Sequence, residues 1–388
     1  MAGGFTGGFT TGYGSAAVLE QPVTAPARAG AQRLWQVDVG PHGGGPARFP
    51  VDAQQIRGTW RLDGHAEVTV DTDGRTLAAV SVGDFDTDLI VGRDGQRLHR
   101  GVLVPSDTVD GDRHTTTLAS YDYRWRLGTR RILDTLVFDQ TDQEAVGWGI
   151  IDHLQAQTGG DLGITRNPGR QLSKLRDKTY DPGDQAQQRL DELGRIIDGH
   201  EWEIGPDLVF RTWPAGRGRA GVTVLIWGGN VDQVARQADV GTFANAVRVT
   251  GDAETTVPVV ATVDDLATTP RLRWDVDVAA SSTKRQTSVA GRAAGEVRQR
   301  SKVAAGWKVT LTSGWWSPDR LWLGDTVRLI VRSGRLDVDT AVRVVEVSVD
   351  VDLTSGAETV TASLDAPPPD MSSQWRRLVR RLNELEQR

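Results

Sequence analysis

The residues best suited to binding metal or moving protons near neutral pH are six histidines, His42, His65, His99, His114, His153 and His200. They fall on different expected elements, and no H-E-x-x-H or comparable spacing joins any two of them. A metal site would have to be assembled from distant parts of the chain. Nucleophilic chemistry fares no better, because there is no G-x-S-x-G elbow, no P-loop and no G-x-G-x-x-G between a strand and a helix. Gly43-Gly44-Gly45-Pro46 reads as a loop rather than a phosphate cradle. With 51 Asp and Glu residues, a carboxylate pair of the glycosidase kind can always be drawn on paper. Most of these acids sit in expected turns, such as Asp71-Thr72-Asp73-Gly74 and Asp84-Phe85-Asp86, where Asp bonds its own backbone. Asp71, Asp73 and Gly74 match the start of a calcium loop, but the closing Glu is missing. No catalytic residue, metal ligand or cofactor is assigned, and the chain reads as not an enzyme.

The elements that could position such residues are mostly strands. From Leu34 onward, LWQVDV, TWRL, AEVTV, TLAAVSV and DLIVGRDGQRLHRGVLV are short Val-, Leu- and Thr-rich runs broken by Gly and Asp. Asp94-Gly95 predicts a tight hairpin turn. A helical block follows, opened by a Thr141/Glu144 capping box and carried by Val146, Ile150 and Leu154 up to Gly159-Gly160. A second helix after Asp181-Pro182-Gly183-Asp184 places Ala186, Leu190, Leu193 and Ile197 on one face, and a hairpin EWEI–GPD–LVFRTW comes next. Strands return in VTVLIW and NAVRVTG, one helix spans Lys284 to about Lys302, and WKVTLTS, DTVRLIV, TAVRVVEVSVDV and ETVTASLD form a further meander. The fold class is therefore mainly β with an α+β insertion: two barrel-like β domains, a helical α/β insertion and a C-terminal coiled-coil helix. The expected divisions are an N-terminal Gly/aromatic arm (1–33), a discontinuous first barrel-like domain (34–140 and 206–270), the insertion (141–205), a second barrel-like domain (271–366) and the closing helix (367–388).

Composition limits the function classes. The 388 residues suit several domains rather than one core. A net charge of -6 gives no support to nucleic-acid binding, which calls for a basic face. There are no cysteines, hence no disulfides, thiolate metal sites or cysteine nucleophiles. No apolar run is long enough to span a membrane, and MAGGFTGGFTTGYG lacks the basic and apolar regions of a secretory signal. Tryptophan is abundant, 13 against 4 Tyr and 7 Phe. Stacking on sugars would use some of them, but Trp35, Trp60, Trp202, Trp274 and Trp307 lie in strand or helix patterns and read as core or interface anchors.

Both ends carry assembly signals. GGFT, GGFT and TGYG repeat every four residues, so Phe5, Phe9 and Tyr13 are strung on glycine as an arm able to dock on a neighbouring subunit. After the stiff Ala366-Pro367-Pro368-Pro369-Asp370 linker, Met371, Trp375, Leu378, Leu382 and Leu385 follow a four-three-four-three spacing. Trp375 and Leu382 take a positions, Leu378 and Leu385 take d positions, and Arg381 at g meets Glu386 at the following e in a parallel bundle. So short a helix is marginal alone in water, and bundling with copies of itself is the expected use. Packing back on its own domain, or lying on an anionic membrane through its arginines, are the other readings.

The stretch from Glu144 to Pro214, with GGDLGIT (159–165), RDKTYDPGD (176–184), the Gln185–Ile197 helix and GHEWEIGPDLVFRTWP (199–214), resembles the central part of tail-hub minor tail proteins from long-tailed phages of actinobacteria. LGDTVRLIV (323–331) and VVEVSVDVDLTSGAETVTASLD (344–365) are similar to the closing barrel of such hubs. None of these motifs is catalytic, so no functional residue carries over. The resemblance implies a homotrimeric ring at the tail tip of a virion, made in the host cytoplasm. Such a ring joins a distal tail protein and the end of the tape-measure protein to fibres or other minor tail proteins, with DNA only in transit. The competing expectation is a tail-associated cell-wall hydrolase or glycan-binding protein. Only residues 367–388 follow the second β region, too few for an appended hydrolase domain.

Overall fold

The computed structural model describes residues 35–44, 49–77, 86–110, 113–167, 174–195, 199–214, 216–239, 243–251, 259–266, 272–280, 286–300 and 304–365. The arm residues Phe5, Phe9 and Tyr13 and the closing seam Met371, Trp375, Leu378, Arg381, Leu382, Leu385 and Glu386 lie outside the described residues.

The first β region contains β1 (Trp35–Pro41), β2 (Phe49–Pro50), β3 (Ala53–Arg61), β4 (Glu67–Asp73), a single turn α1 (Gly74–Leu77), β5 (Thr87–Arg93), β6 (Gln96–Asp110) and β7 (Arg113–Asp122). Period-two alternation sets the faces: Val68, Val70 and Thr72 of β4 are buried, while the residues between them are half-buried. Asp94 and Gly95 both take positive φ (51° and 79°), the turn that matches a right-handed strand twist, so β5 and β6 pair as the sequence predicts. Two readings are corrected. Asp71, Thr72 and Asp73 end a strand rather than form a turn, because Thr115, Thr116 and Thr117 of β7 pair with them. Thr76 and Leu77 of the expected TLAAVSV strand belong to α1, whose first turn is held by Asp73 accepting from Arg75 N–H at 2.9 Å.

The insertion contains α2 (Tyr123–Gly128), β8 (Leu136–Asp142), α3 (Gln143–Ala156), β9 (Thr165–Arg166), β10 (Leu175–Tyr180), α4 (Ala186–Arg195), β11 (Glu201–Ile204) and β12 (Val209–Trp213). The cap of α3 is Asp142, not Thr141: its carboxylate accepts from Glu144 N–H at 2.9 Å. Thr141 is still held in the β8–β10 ribbon opposite Arg176, and the Glu144 side chain turns to Arg166 instead of back to the cap. Val146, Ile150 and Leu154 of α3 and Ala186, Leu190 and Leu193 of α4 close over Trp202 and Phe210, as their periodicity requires. This core also takes in Tyr123, Leu127 and Ile132, ahead of the expected boundary at 141, and Leu208 and Phe210, beyond 205.

The remainder comprises β13 (Ala220–Ile226), β14 (Val231–Asp239), β15 (Ala246–Gly251), β16 (Val260–Asp264), β17 (Asp275–Ala280), α5 (Gln286–Arg300), β18 (Ala304–Leu311), β19 (Thr326–Ser333), β20 (Leu336–Asp352) and β21 (Ala357–Asp365). β15, flanked by antiparallel β16 and parallel β17, packs under α5 with its own core of Val247, Val249, Val278, Val289, Ala293 and Val297. The expected division at 270/271 falls between two strands of this one sheet. β14, too polar in sequence to read as a strand, pairs with β18 along its length.

The long strand β20 joins the two β regions. Its first half pairs with β19, and Glu346–Asp352 pair antiparallel with Gln55–Arg61 of β3, while β21 pairs over Arg343–Asp352. One 13-stranded sheet, β14-β18-β21-β20-β3-β4-β7-β6-β5-β1-β2 with β19 and β13 branching from β20, thus carries both expected barrel-like halves. Its inner face is one continuous apolar core running from Val37 and Leu89 to Val349 and Leu364. The sheet curls: Arg93, on the inward row Leu89–Val91–Arg93 of β5, reaches Glu358 of β21 at 3.0 Å. The Arg93 guanidinium lies 5.3 Å from the Trp35 ring and 4.6 Å from the Trp316 ring, a buried cation held by aromatic faces. Trp60, Trp202, Trp307 and Trp316 are buried anchors, whereas Trp274 is about half exposed.

Candidate functional site

The functional groups with the most constrained surroundings lie where the insertion meets the sheet. On the sheet side, Asp88 is buried in β5 and gathers three donors. Arg100 Nε reaches it at 2.7 Å, Tyr123 Oη at 2.9 Å, and His42 Nδ1 stands 3.1 Å away. Tyr123 opens α2 and stacks on the His42 ring with centroids 5.4 Å apart, so the first helix of the insertion is pinned to the sheet through one carboxylate. Burial, and then the Asp88 charge, push the Tyr123 hydroxyl far above its ordinary pKa, which keeps it a donor.

A second junction ties the β11–β12 hairpin to β20. Arg343 grips Glu201 with two parallel bonds, Nη1 to Oε1 at 2.6 Å and Nη2 to Oε2 at 2.7 Å. The same guanidinium donates to Gly324 O at 3.1 Å and Arg217 O at 2.8 Å, and Arg217 N–H returns to Glu201 at 2.8 Å. Burial pushes the Glu201 carboxyl up, but the Arg343 bonds and charge and the Arg217 N–H outweigh it and hold it below the usual carboxylate range. Gly218, at φ 105°, lets this segment pass Gly324 closely: a Cβ there would sit 2.1 Å from the Gly324 carbonyl carbon. Nearby, Arg124 bonds Asp191 of α4 at 2.6 Å and lies 4.4 Å from the Trp202 ring.

Between these junctions the sheet and insertion leave a cleft of about 390 Å³. Its walls come from the end of β3, the start of β6, α2, the β11–β12 turn, Arg217 and the Trp322-Leu323 segment. Arg97 Nη1 donates to Pro206 O across the cleft at 3.3 Å. The Arg217 guanidinium is buried in its wall, and that burial lowers its pKa to about 10.

The histidines do not converge into one catalytic centre. His42 is at Asp88, His200 faces Gln143 at 2.8 Å, and His153 accepts from Leu133 N–H. Among the described residues no group of three or more His, Asp or Glu could hold a metal ion. The nearest approach to a nucleophile and base is Ser120 Oγ with His99 Nε2 at 2.9 Å. Ser120 is fully buried and His99 is 2% exposed, and burial drives the His99 pKa down to about 3 against the opposing Asp88 charge. So weak a base cannot take a hydroxyl proton near neutral pH, and the pair is packed as core. The assembly residues proposed from sequence at either end lie outside the described residues. The junction residues Asp88, Arg100, Glu201, Arg217 and Arg343 carry no sequence motif: Arg343 lies between the core-facing Val342 and Val344, on the opposite face of β20, where a charge reads as an ordinary outward residue until the insertion covers it.

No protein-family model matches the chain, and no curated protein matches it. Solved structures do. The 43 kDa tail protein of prophage MuSo2 from Shewanella oneidensis superposes with a TM-score of 0.61 at 14% identity, covering 86% of this chain and 99% of that one. A tail protein from Neisseria meningitidis MC58 gives 0.60 at 11% identity, with 88% and 99% covered. The Francisella PdpA–VgrG complex, in its lidded form, gives 0.54 at 5% identity, with 86% of this chain and 53% of that chain covered. The chain thus has the fold of these phage tail proteins over nearly their whole length.

Proposed function

We propose that this chain is a structural hub protein of a phage tail tip, without catalytic activity. The observation that carries the reading is the end-to-end fold match to two phage tail proteins, each covered to 99%. The actinobacterial tail-hub resemblance of residues 144–214 and 323–365 points the same way. In this reading three copies form a ring in the virion after synthesis in the host cytoplasm. The ring joins the distal tail protein and the tape-measure end to fibres or other minor tail proteins and leaves a path for DNA. The curled 13-stranded sheet of each chain builds the ring wall. The insertion packs on that wall, and the 1–33 arm docks on a neighbouring copy through Phe5, Phe9 and Tyr13. Residues 367–388 bundle in parallel through Met371, Trp375, Leu378, Leu382 and Leu385, with Arg381 of one copy meeting Glu386 of the next. A mild overall negative charge suits a wall past which DNA slides, since repulsion prevents sticking.

Immunogold labelling of intact virions with an antibody against this chain tests the location. Label at the tail end distal to the head is expected. Label on the capsid, or its absence from purified particles, would contradict the proposal.

A further inference from the structure

We infer that the cleft between sheet and insertion is a binding site for a small oxyanion, a ligand presenting a phosphoryl or carboxylate group. Six guanidinium side chains line it: Arg61, Arg97 and Arg100 from the sheet, and Arg124, Arg211 and Arg217 from the insertion side. Only three acids share the lining, Asp122, Glu203 and Asp207. Asp122 is already occupied, accepting from Ala66 N–H at 2.7 Å and Trp125 N–H at 3.1 Å, and burial raises its pKa toward the neutral form. The carboxylates that pair with Arg61, Arg100 and Arg124 are Glu346, Asp88 and Asp191, none of which lines the cleft, whereas Arg211 and Arg217 pair with the lining acids Asp207 and Glu203. With six guanidinium groups against three carboxyl groups, and the partners of Arg61, Arg100 and Arg124 set behind them, the walls present more cationic than anionic surface, and low-dielectric walls focus that field into the cavity.

Two of the arginines keep one unsatisfied N–H each: Arg124, bonded to Asp191, and Arg217, bonded to Glu203, have a buried Nε with no hydrogen-bond partner among the described residues. A buried guanidinium N–H with no acceptor is costly, and an oxyanion is the acceptor that fits a forked donor best. The lowered pKa of Arg217 agrees with this: its burial, together with the Arg124 and Arg343 charges, is not balanced by Glu201. A volume of about 390 Å³ admits a molecule the size of citrate or a phosphorylated metabolite, not a folded partner. Because the walls come from both the sheet and the insertion, an occupant would fasten one to the other. The charge arrangement is independent of any role in a virion.

The full chain is titrated calorimetrically with inorganic phosphate and with citrate, at ionic strength matched with chloride, and its thermal unfolding is followed in the same solutions. Saturable binding of at least one probe, with a raised melting temperature, is expected; which probe binds more tightly assigns the phosphoryl or carboxylate class. Arg217→Gln, in the buried wall, and Arg61→Gln, at the open rim where folding is not at stake, should each weaken binding about tenfold or more. Arg332→Gln, on an exposed pair with Asp337 away from the cleft, should bind as the parent does. The inference is overturned by no saturable heat with either probe, or by equal loss in the Arg332→Gln protein.

Discussion

The inner face of the curled sheet and the junction between sheet and insertion are both buried, yet they are held by different physics. The sheet core is a continuous layer made mainly of Val, Leu, Ile and Trp, with Arg93 buried between two indole rings. Each fully buried aliphatic side chain there contributes about 1.5–3 kcal/mol without needing any particular partner. The junction is held by charge pairs with fixed partners: Asp88 with Arg100 and Tyr123, Glu201 with Arg343, and Asp191 with Arg124. Such pairs add little net stability over an apolar contact but are severe if half-broken. The sheet core therefore sets how stable the fold is, and the junction sets where the insertion sits.

The largest effect separating the two comes from breaking a junction pair. Arg343→Ala leaves Glu201 buried without its bidentate partner and should cost about 3–5 kcal/mol. The double change Arg343→Met with Glu201→Leu should recover most of that loss. Urea unfolding followed by tryptophan fluorescence measures both. If the double variant were as unstable as the single one, the junction would be acting as packing rather than as a charge pair.

A core truncation should cost slightly less and have no such rescue. Leu118→Ala in β7, fully buried on the inner face, should destabilise by about 2–4 kcal/mol. It should lower the sheet transition while leaving the contacts of the insertion intact, which hydrogen exchange across residues 143–156 would show. Equal loss of protection in α3 would mean that sheet and insertion unfold as one unit.

The smallest effect depends on pH. The folded pKa of His99, about 3, lies below its ordinary 6.5, so between these values the unfolded chain holds the extra proton. Stability therefore falls as pH drops below about 6.5 and goes on falling to about 3, by up to about 1.4 kcal/mol per unit. Between pH 7 and 5 this amounts to about 2 kcal/mol. In His99→Gln the loss over that interval should be smaller by the same amount; parallel curves for the two proteins would show that His99 is not buried in its neutral form.

The same contrast explains what could be read in advance. Alternation exposes β3, β4 and β19–β21, the Asp94-Gly95 dipeptide exposes a hairpin, and the four-residue spacing of Val146, Ile150 and Leu154 exposes α3, because each signal is local. The junction is not local: Glu201 and Arg343 are 142 residues apart, so no window of sequence contains the pair. Pairing of β20 with β3 is illegible for the same reason, since a strand does not announce which of two neighbours takes its second half. S/T-x-x-E points to Thr141 as the cap of α3, whereas the strand before it carries the chain on to Asp142. β14 carries no strand signal, because its outward residues are Asp, Gln and Arg, and only pairing with β18 makes it a strand. The cleft draws on six separate segments, and its arginines look like ordinary surface charges until the fold gathers them.

Native mass spectrometry of the full chain, alongside a variant with Leu378→Asn and Leu382→Asn, decides whether three copies form the proposed ring. A trimer at micromolar concentration that dissociates in the variant is the expected result. A monomer in both proteins, or a trimer unchanged by the two substitutions, would contradict assembly through the closing helix.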